Sequence, residues 1–176
     1  MVTEPEKTQK ALQMAIQMEI GGKKYYQQAS QKSSNQLGRQ LFQSLAAEED
    51  VHRQKFDEIY GAIQGKKAWP KTGFELDGGK RLRTLFAKTT EVMGAKVKAP
   101  ATELDSVKTA MEMENKTFDF YKSQSRKASY DAEREFYEAL AGEERAHHLV
   151  LLDYYEYLGD PAGWFVKKER PSLDGG

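Results

Sequence analysis

The chain repeats itself once at an offset of 95 residues, and this repeat limits the possible folds more than any other feature. Aligned without a gap, "LAAEEDVH" at 45–52 matches "LAGEERAH" at 140–147. The same register pairs other chemically distinctive residues: Glu19 with Glu114, Tyr26 with Tyr121, Ser34 with Ser129, Glu49 with Glu144 and His52 with His147. A period this long, present only twice, is not a solenoid unit. It indicates the duplication of one structural half.

Each copy of the repeat has the pattern of two long helices joined by a short turn. Apolar residues recur at helical spacing from Glu6 to about Lys32 and from about Gln36 to Ile63, with the turn residues "SSN" between them. The second copy predicts helices over roughly 104–127 and 130–158, separated at "KASYD" and closed by "LGDP". We therefore expect two helical hairpins, at about 5–63 and 104–158.

About 40 residues, 64–103, connect the two hairpins and contain a candidate short helix, "GKRLRTLFAKTTEVMG". Adjacent antiparallel helices need only a few connecting residues, so a link of this length predicts a crossover along the bundle. The expected fold is an all-α, up-down-down-up four-helix bundle. It forms a single domain over 1–176, with a tail at 159–176 and no fifth helix after Leu158.

Composition excludes several classes of function. Lys plus Arg and Asp plus Glu both number 27, so no net charge favours nucleic acid or an anionic membrane. The N-terminus "MVTEPEKTQKALQ" is polar, and no run approaches the roughly 18 apolar residues of a membrane span, so we expect a cytoplasmic protein. Cysteine is absent, which excludes disulfides and thiolate metal sites. Any metal must bind to carboxylate and imidazole.

The spacing within each hairpin places acidic residues at one level of the bundle. Glu19 precedes the turn residue Ser34 by 15 residues, and Glu49 follows it by 15. At about 1.5 Å per residue, both lie about 22 Å from the turn. The second hairpin repeats these intervals, and in each copy a histidine follows the later glutamate by three residues, on the same helix face. A twofold relation between the hairpins would bring six side chains together: Glu19, Glu49, His52, Glu114, Glu144 and His147.

Four carboxylates and two imidazoles buried together would cost several kcal/mol per ion through repulsion and desolvation. Two divalent cations offset this cost. In the predicted arrangement Glu49 and Glu144 bridge the metals, Glu19 and Glu114 each bind one, and the histidines complete the two sets. Mixed oxygen and nitrogen ligation suits iron or manganese, and zinc would also fit.

Two tyrosines are candidates for supporting this site. Tyr26 and Tyr121 lie seven residues beyond Glu19 and Glu114, two turns along the same helix face. Their hydroxyls could orient a ligand carboxylate. Glu48 and Glu143 instead point about 100° away from their neighbouring glutamates, so we expect them in solvent or in supporting pairs.

The ligand set matches a known class. A Glu from each of two helices and a Glu-x-x-His from each of the other two is typical of ferritin-like di-iron carboxylate proteins. Within that superfamily, "MEMENKTFDFY" and "FYEALAGEERAHH" resemble the third and fourth helices of rubrerythrins, and the tail "DPAGWFVKKERPSLDGG" is similar to tails of rubrerythrin-like proteins. The resemblance covers both hairpins.

The resemblance implies a ferritin-like bundle with two iron ions that reduces hydrogen peroxide or dioxygen, with a role in oxidative stress. It also implies a homodimer or small homo-oligomer. Full-length rubrerythrins carry a rubredoxin domain with a four-cysteine iron site. This chain has no cysteine, so its electron donor, such as a rubredoxin, must be separate.

A second departure concerns the third helix. Peroxide-reducing rubrerythrins have an extra glutamate about one turn beyond the third-helix ligand, where this chain has Thr117 and Phe118. Two alternatives therefore stay open. One is a ferroxidase or iron-handling protein that oxidises Fe(II) as its substrate. The other is a non-catalytic metal-bound helical bundle, for instance with zinc at both positions.

Overall fold

The computed structural model describes residues 1, 3–65, 68–71 and 76–169, and within them the secondary structure is helical, without strands. The described residues form six helices: α1 (Glu4–Lys32), α2 (Gln36–Gln64), α3 (Lys80–Met93), α4 (Ala101–Lys127), α5 (Asp131–Gly159) and α6 (Pro161–Glu169). No described helix is both long enough and apolar enough to cross a membrane. The long helices α1, α2, α4 and α5 correspond to the two expected hairpins.

The hairpins have the expected up-down-down-up arrangement. Ser33, just after α1, donates to Glu103 in the first turn of α4 at 2.6 Å, and Asn35, just before α2, donates to Tyr154 near the end of α5 at 2.9 Å. The end of α1, the starts of α2 and α4, and the end of α5 therefore lie at one end of the bundle. This confirms the all-α fold and the crossover, which contains α3.

The C-terminal segment differs from the expectation. The prediction of a tail without a helix after Leu158 is wrong over Pro161–Glu169, which forms α6. Asp160 accepts from the backbone N–H of Gly163 at 3.0 Å and of Trp164 at 2.9 Å. The "DP" pair that ends α5 therefore also begins the next helix, because Asp is a good N-cap and Pro suits the first helical position.

Two apolar clusters fill the bundle, one on each side of its middle. The turn-end cluster lies towards the α1–α2 turn and includes Tyr26, Leu41, Leu45, Leu82 and Tyr157. The far-end cluster lies towards the α4–α5 turn and includes Leu12, Phe56, Trp69, Tyr121 and Tyr137. Trp164 and Phe165 of α6 pack against the turn-end cluster. The level between the clusters is left for polar side chains.

A buried carboxylate joins the two hairpins at the turn end. Glu103 is 4% exposed and accepts from the Ser33 hydroxyl, from the Ser34 backbone N–H at 3.1 Å and from the Tyr154 hydroxyl at 2.7 Å. Gly38 leaves room for this network. A Cβ at position 38 would lie 2.1 Å from Ser33 Oγ and 2.5 Å from both Glu103 Oε1 and Tyr154 Oη.

Gly38→Ala is therefore expected to destabilise the fold by about 1–3 kcal/mol, because the added methyl group must displace bonded polar atoms. Gly61 provides the matched control on the same helix, since a Cβ there meets nothing within 4 Å. Gly61→Ala should stabilise α2 by up to about 1 kcal/mol through helix propensity. Urea denaturation of both variants measures the difference, and equal unfolding midpoints would contradict the role of Gly38.

Candidate metal centre

The structure brings the six predicted ligand residues together at mid-bundle. Each lies on one of the four long helices, and none is more than 3% exposed: Glu19, Glu49, His52, Glu114, Glu144 and His147. They occupy the level between the turn-end and far-end clusters. The equal spacing from the hairpin turns therefore predicted their common height correctly.

Their ligand atoms form two overlapping groups. In the first group, His52 Nδ1 lies 3.3 Å from Glu144 Oε1, 3.5 Å from Glu19 Oε2 and 3.9 Å from Glu49 Oε2. The ligand atoms of this group lie within 4.8 Å of one another. A single cation could therefore contact all four side chains.

The second group is the counterpart of the first in the repeat. His147 Nδ1 lies 3.3 Å from Glu49 Oε1 and 3.6 Å from Glu114 Oε1, and Glu144 completes the set. The two imidazole rings stack at 5.7 Å with an angle of 10° between their planes. Glu49 and Glu144 belong to both groups, which is the arrangement expected of two carboxylates that bridge a pair of ions.

Several of these atoms lack a hydrogen bond. Glu19 Oε2, Glu114 Oε2, Glu144 Oε1 and His147 Nδ1 are buried and make no hydrogen bond to a described residue. Buried polar atoms normally have a partner, and leaving one without costs about 1–3 kcal/mol. All four are lone-pair donors of the kind that divalent cations prefer. The residues present therefore fit a pair of metal ions.

The shared carboxylates are difficult to ionise in the absence of metal. Burial, followed by repulsion from neighbouring carboxylates, raises the pKa of Glu49 and of Glu144 well above the usual value. Burial would lower the pKa of His147, but the adjacent Glu114 and Glu48 more than offset it and raise the pKa well above the usual value. The metal-free centre therefore retains protons that a cation would have to displace.

The two outer carboxylates behave differently. Burial raises the pKa of Glu19, but interactions with Glu49, His52 and Tyr121 outweigh it and lower the pKa. The pKa of Glu114 is also lowered, because the attraction of Glu114 to His147 and the hydrogen-bonding contacts of Glu114 outweigh the effect of burial. The centre thus combines two outer carboxylates of lowered pKa with two shared carboxylates of raised pKa.

The predicted tyrosines contact these outer carboxylates, but across the hairpins. Tyr26 on α1 donates to Glu114 Oε1 on α4, and Tyr121 on α4 donates to Glu19 Oε1 on α1. Both hydroxyls are fully buried, and burial raises the pKa of each tyrosine well above its usual value. Each bond holds Oε1 of one outer carboxylate, while Oε2 of both carboxylates is buried without a hydrogen bond to a described residue.

Sequence reasoning missed part of the role of Glu48 and Glu143. Glu48 Oε2 lies 2.7 Å from His147 Nε2, across the α2–α5 interface. Glu48 therefore forms a supporting pair with a predicted ligand residue, which is one of the two roles expected for it. Glu143 is only 5% exposed and accepts from the Gly78 backbone N–H at 3.0 Å. The signal was the "EE" pair in both copies, but the burial of Glu143 depends on the crossover, whose path the repeat does not define.

Cavities lie on two opposite faces of the centre. On the α1–α4 face a cavity of about 20 Å³, enough for one water-sized molecule, is lined by Met18, Gly22, Met113 and Thr117 and by the carboxylates. On the α2–α5 face a cavity of about 110 Å³ is lined mainly by polar residues: Glu48, Val51, His52, Leu76, Asp77, Arg81 and Glu143. The centre thus has one tight face and one wider polar face.

Comparison with known proteins supports this description. A family model described as Rubrerythrin matches residues 10–93, slightly less than half of the chain, so this part of the chain resembles the ferritin-like di-iron superfamily. The matched part contains Glu19, Glu49 and His52, whereas the second set of ligand residues lies beyond it in the repeated hairpin. The match therefore covers most of the first hairpin and extends through the crossover helix α3.

A solved structure shows the same fold over most of the chain. The "Hypothetical Protein Pfu-1136390-001 From Pyrococcus furiosus" is similar at a TM-score of 0.62 and 22% sequence identity, over 85% of this chain and 89% of that chain. No curated protein matches the sequence.

The metal-free protein is expected to lose thermal stability as the pH rises above about 4.5 and further above 6.5, the usual pKa values of glutamate and histidine. His147, Glu49 and Glu144 hold protons more tightly when folded than when unfolded, so the stability gained from protonation is lost as pH rises through their folded-state pKa values. Glu144→Gln should flatten this dependence, whereas Glu138→Gln, at an exposed position, should not. Melting temperatures across pH measure the effect; parallel curves for wild type and Glu144→Gln would contradict it.

Proposed function

We propose that this chain is a rubrerythrin-like di-iron oxidoreductase that reduces hydrogen peroxide or dioxygen. The observation that carries the proposal is the pair of four-residue groups that share Glu49 and Glu144. Glu19 and His52 would complete the ligands of one iron, and Glu114 and His147 those of the other. Two bound iron ions would supply one electron each to an oxidant.

Residues around the centre would hold these ligands in place. Tyr26 and Tyr121 fix the outer carboxylates through their hydroxyls. Glu48 accepts from His147 Nε2, which leaves the Nδ1 lone pair of that ring for a metal. The apolar clusters on both sides keep bulk water away, so charges inside the centre interact strongly.

The small α1–α4 cavity is the proposed binding place of the oxidant. It reaches Glu49, Glu114 and Glu144, and its remaining lining includes Gly22, where a Cβ would lie 3.5 Å from the Glu49 side chain. Thr117 lines it too, and its hydroxyl donates to the Met113 carbonyl at 3.1 Å. Position 117 therefore supplies no carboxylate to which an iron could move, and we propose turnover with both ions held by the six ligands.

Other aspects of the proposal come from the resemblance and from the composition of the chain. We infer a separate one-electron donor such as a rubredoxin, because the chain has no cysteine for an iron site of its own. A homodimer or small homo-oligomer in the cytoplasm is likewise a proposal, as is the exclusion of nucleic acid and membrane as partners. Manganese or zinc would also fit the same donor set.

One observation favours the alternative of a ferroxidase. Glu48, Glu143 and His147 form a third group of potential ligands beside the wider α2–α5 cavity, which reaches His52. This face gives a cation a polar path to the centre. A protein that takes up Fe(II) as a substrate needs such a path.

Stopped-flow spectroscopy separates these functions. Protein loaded anaerobically with two Fe(II) per chain is mixed with hydrogen peroxide or with dioxygen. Faster oxidation by peroxide supports the proposed peroxidase. Faster oxidation by dioxygen that continues with added Fe(II) supports the ferroxidase. No reaction with either, or a protein isolated with two zinc ions and no iron, would indicate the non-catalytic bundle.

Replacing both shared carboxylates should abolish metal binding. The double variant Glu49→Ala, Glu144→Ala removes two ligands from each of the two groups. It also removes the repulsion between these two carboxylates, so the protein should stay helical. Glu58→Ala with Glu138→Ala changes one exposed glutamate on each of the same helices and is the matched control. Elemental analysis and circular dichroism measure the outcome. Full metal occupancy in the first double variant would exclude the proposed centre.

Glu48 should tune the affinity of the centre without being a ligand. Glu48→Ala is expected to weaken metal binding by about 10- to 100-fold, because His147 loses the acceptor that fixes its ring and tautomer. Glu48→Gln keeps a carbonyl acceptor and should remain closer to wild type. Competition with a chelator measures both affinities, and an alanine variant that binds as tightly as wild type would refute this role.

A further inference from the structure

A row of aromatic rings runs from the centre through the far-end cluster. Tyr121, whose hydroxyl donates to Glu19, lies 6.0 Å from Tyr137 between ring centroids, and Tyr137 lies 5.8 Å from Trp69. Separations of about 4.5–7 Å are those of rings in contact. The three side chains therefore form a continuous aromatic connection between a ligand carboxylate and the crossover.

The outer member of the row lies close to the protein surface. Trp69 is 6% exposed, and its neighbours Ala68 and Lys71 are exposed. The row thus reaches from the buried centre to a point that a second molecule could approach.

Packing alone does not explain the residue types in this row. Tyr137 Oη and Trp69 Nε1 are buried and have no hydrogen-bond partner among the described residues. Each such group costs about 1–3 kcal/mol, and a phenylalanine ring would fill similar space without that cost. Tyrosine and tryptophan differ from phenylalanine in a second respect, because their rings lose an electron far more readily.

The repeat provides an internal comparison. At the offset of 95 residues, Tyr137 corresponds to Phe42, and Trp69 corresponds to Trp164. Phe42 lies 6.0 Å from Tyr26, as Tyr137 does from Tyr121. Trp164 instead packs on Phe86 at 5.5 Å, and no described ring contact connects it to Phe42. Of the two equivalent rows, the one through Tyr137 is continuous and consists of oxidisable rings.

We propose that Tyr121, Tyr137 and Trp69 form an electron-transfer path between the centre and the crossover, with Trp69 as the residue that gives up an electron. The proposal rests on the proposed reaction with peroxide. One hydrogen peroxide takes up two electrons and two protons and gives two waters. When only one iron is reduced, that iron supplies one electron, Trp69 supplies the other through the two tyrosine rings, and solvent supplies the protons.

Trp69 is left as a one-electron-oxidised indole with a defined fate. A one-electron donor at the surface, such as the proposed rubredoxin, returns the missing electron and restores it. Without a donor, the ring gives up a second electron to further hydrogen peroxide, and water adds one oxygen atom to the ring with the release of two protons in total. The oxygenated tryptophan is stable, so its formation can be measured as evidence for the path independently of enzyme turnover.

The chain has only two tryptophans, so Trp164 is a built-in control. Protein with one Fe(II) per chain is treated with hydrogen peroxide without a donor, and oxygenation of each tryptophan is measured by peptide mass spectrometry. Metal-free protein receives the same peroxide dose. The path predicts severalfold more oxygenation at Trp69 than at Trp164 in the iron-loaded sample alone, although Trp164 is the more exposed of the two. Equal oxygenation of both would overturn the path.

Two variants test the connection. Tyr137→Leu removes the middle ring and should lower Trp69 oxygenation severalfold, whereas Phe42→Leu, at the equivalent position, should leave it unchanged. Unchanged Trp69 oxygenation in a folded, iron-binding Tyr137→Leu protein would overturn the path. Should that variant fail to fold, the comparison of Trp69 with Trp164 in wild type still tests the path.

Iron oxidation is followed optically in the same samples. Iron that is oxidised without selective Trp69 oxygenation refutes the electron-transfer path alone. Iron that peroxide does not oxidise refutes both the path and the proposed function.

Discussion

The burial of four carboxylates and two imidazoles at one level of a helical bundle is the constraint on which the rest of this structure depends. Charges taken out of water cost several kcal/mol each unless they are paired or neutralised. In the metal-free chain, burial and neighbouring carboxylates raise the pKa of Glu49 and Glu144, and contacts with carboxylates raise that of His147, so these groups favour their protonated forms. A fold that keeps such a centre must stabilise it from outside, and every neighbouring feature contributes to that.

The stabilising contacts connect the two hairpins more than they stabilise each one separately. Tyr26 and Tyr121 each bond to a carboxylate of the other hairpin, and Glu48 on α2 contacts His147 on α5. Glu103 makes a similar connection at the turn end. Since the apolar clusters on either side are also built from both hairpins, the centre and the packing between the halves stabilise each other.

The sequence predicted the level and identity of the central residues because both follow from helix geometry. A rise of about 1.5 Å per residue and equal distances from a turn suffice to place Glu19 beside Glu49. The crossed bonds of Tyr26 and Tyr121 could not be predicted, because they depend on how one hairpin is rotated against the other. The helix α6 was not predicted for a different reason: Asp160 and Pro161 are equally typical of the residues that end a helix and of those that begin one.

The crossover makes the two halves of the duplicated chain unequal. A chain can pass from the first hairpin to the second only once, so the crossover breaks the twofold relation, and its helix α3 packs on α2 and α5. Gly78 in this segment donates to Glu143, whereas the equivalent Glu48 contacts His147 instead. Trp69 lies against Tyr137 for the same reason, while Trp164 packs on the crossover helix α3. Related ligand sets can thus sit in different surroundings, which allows the two sides of a symmetric centre to take on different tasks.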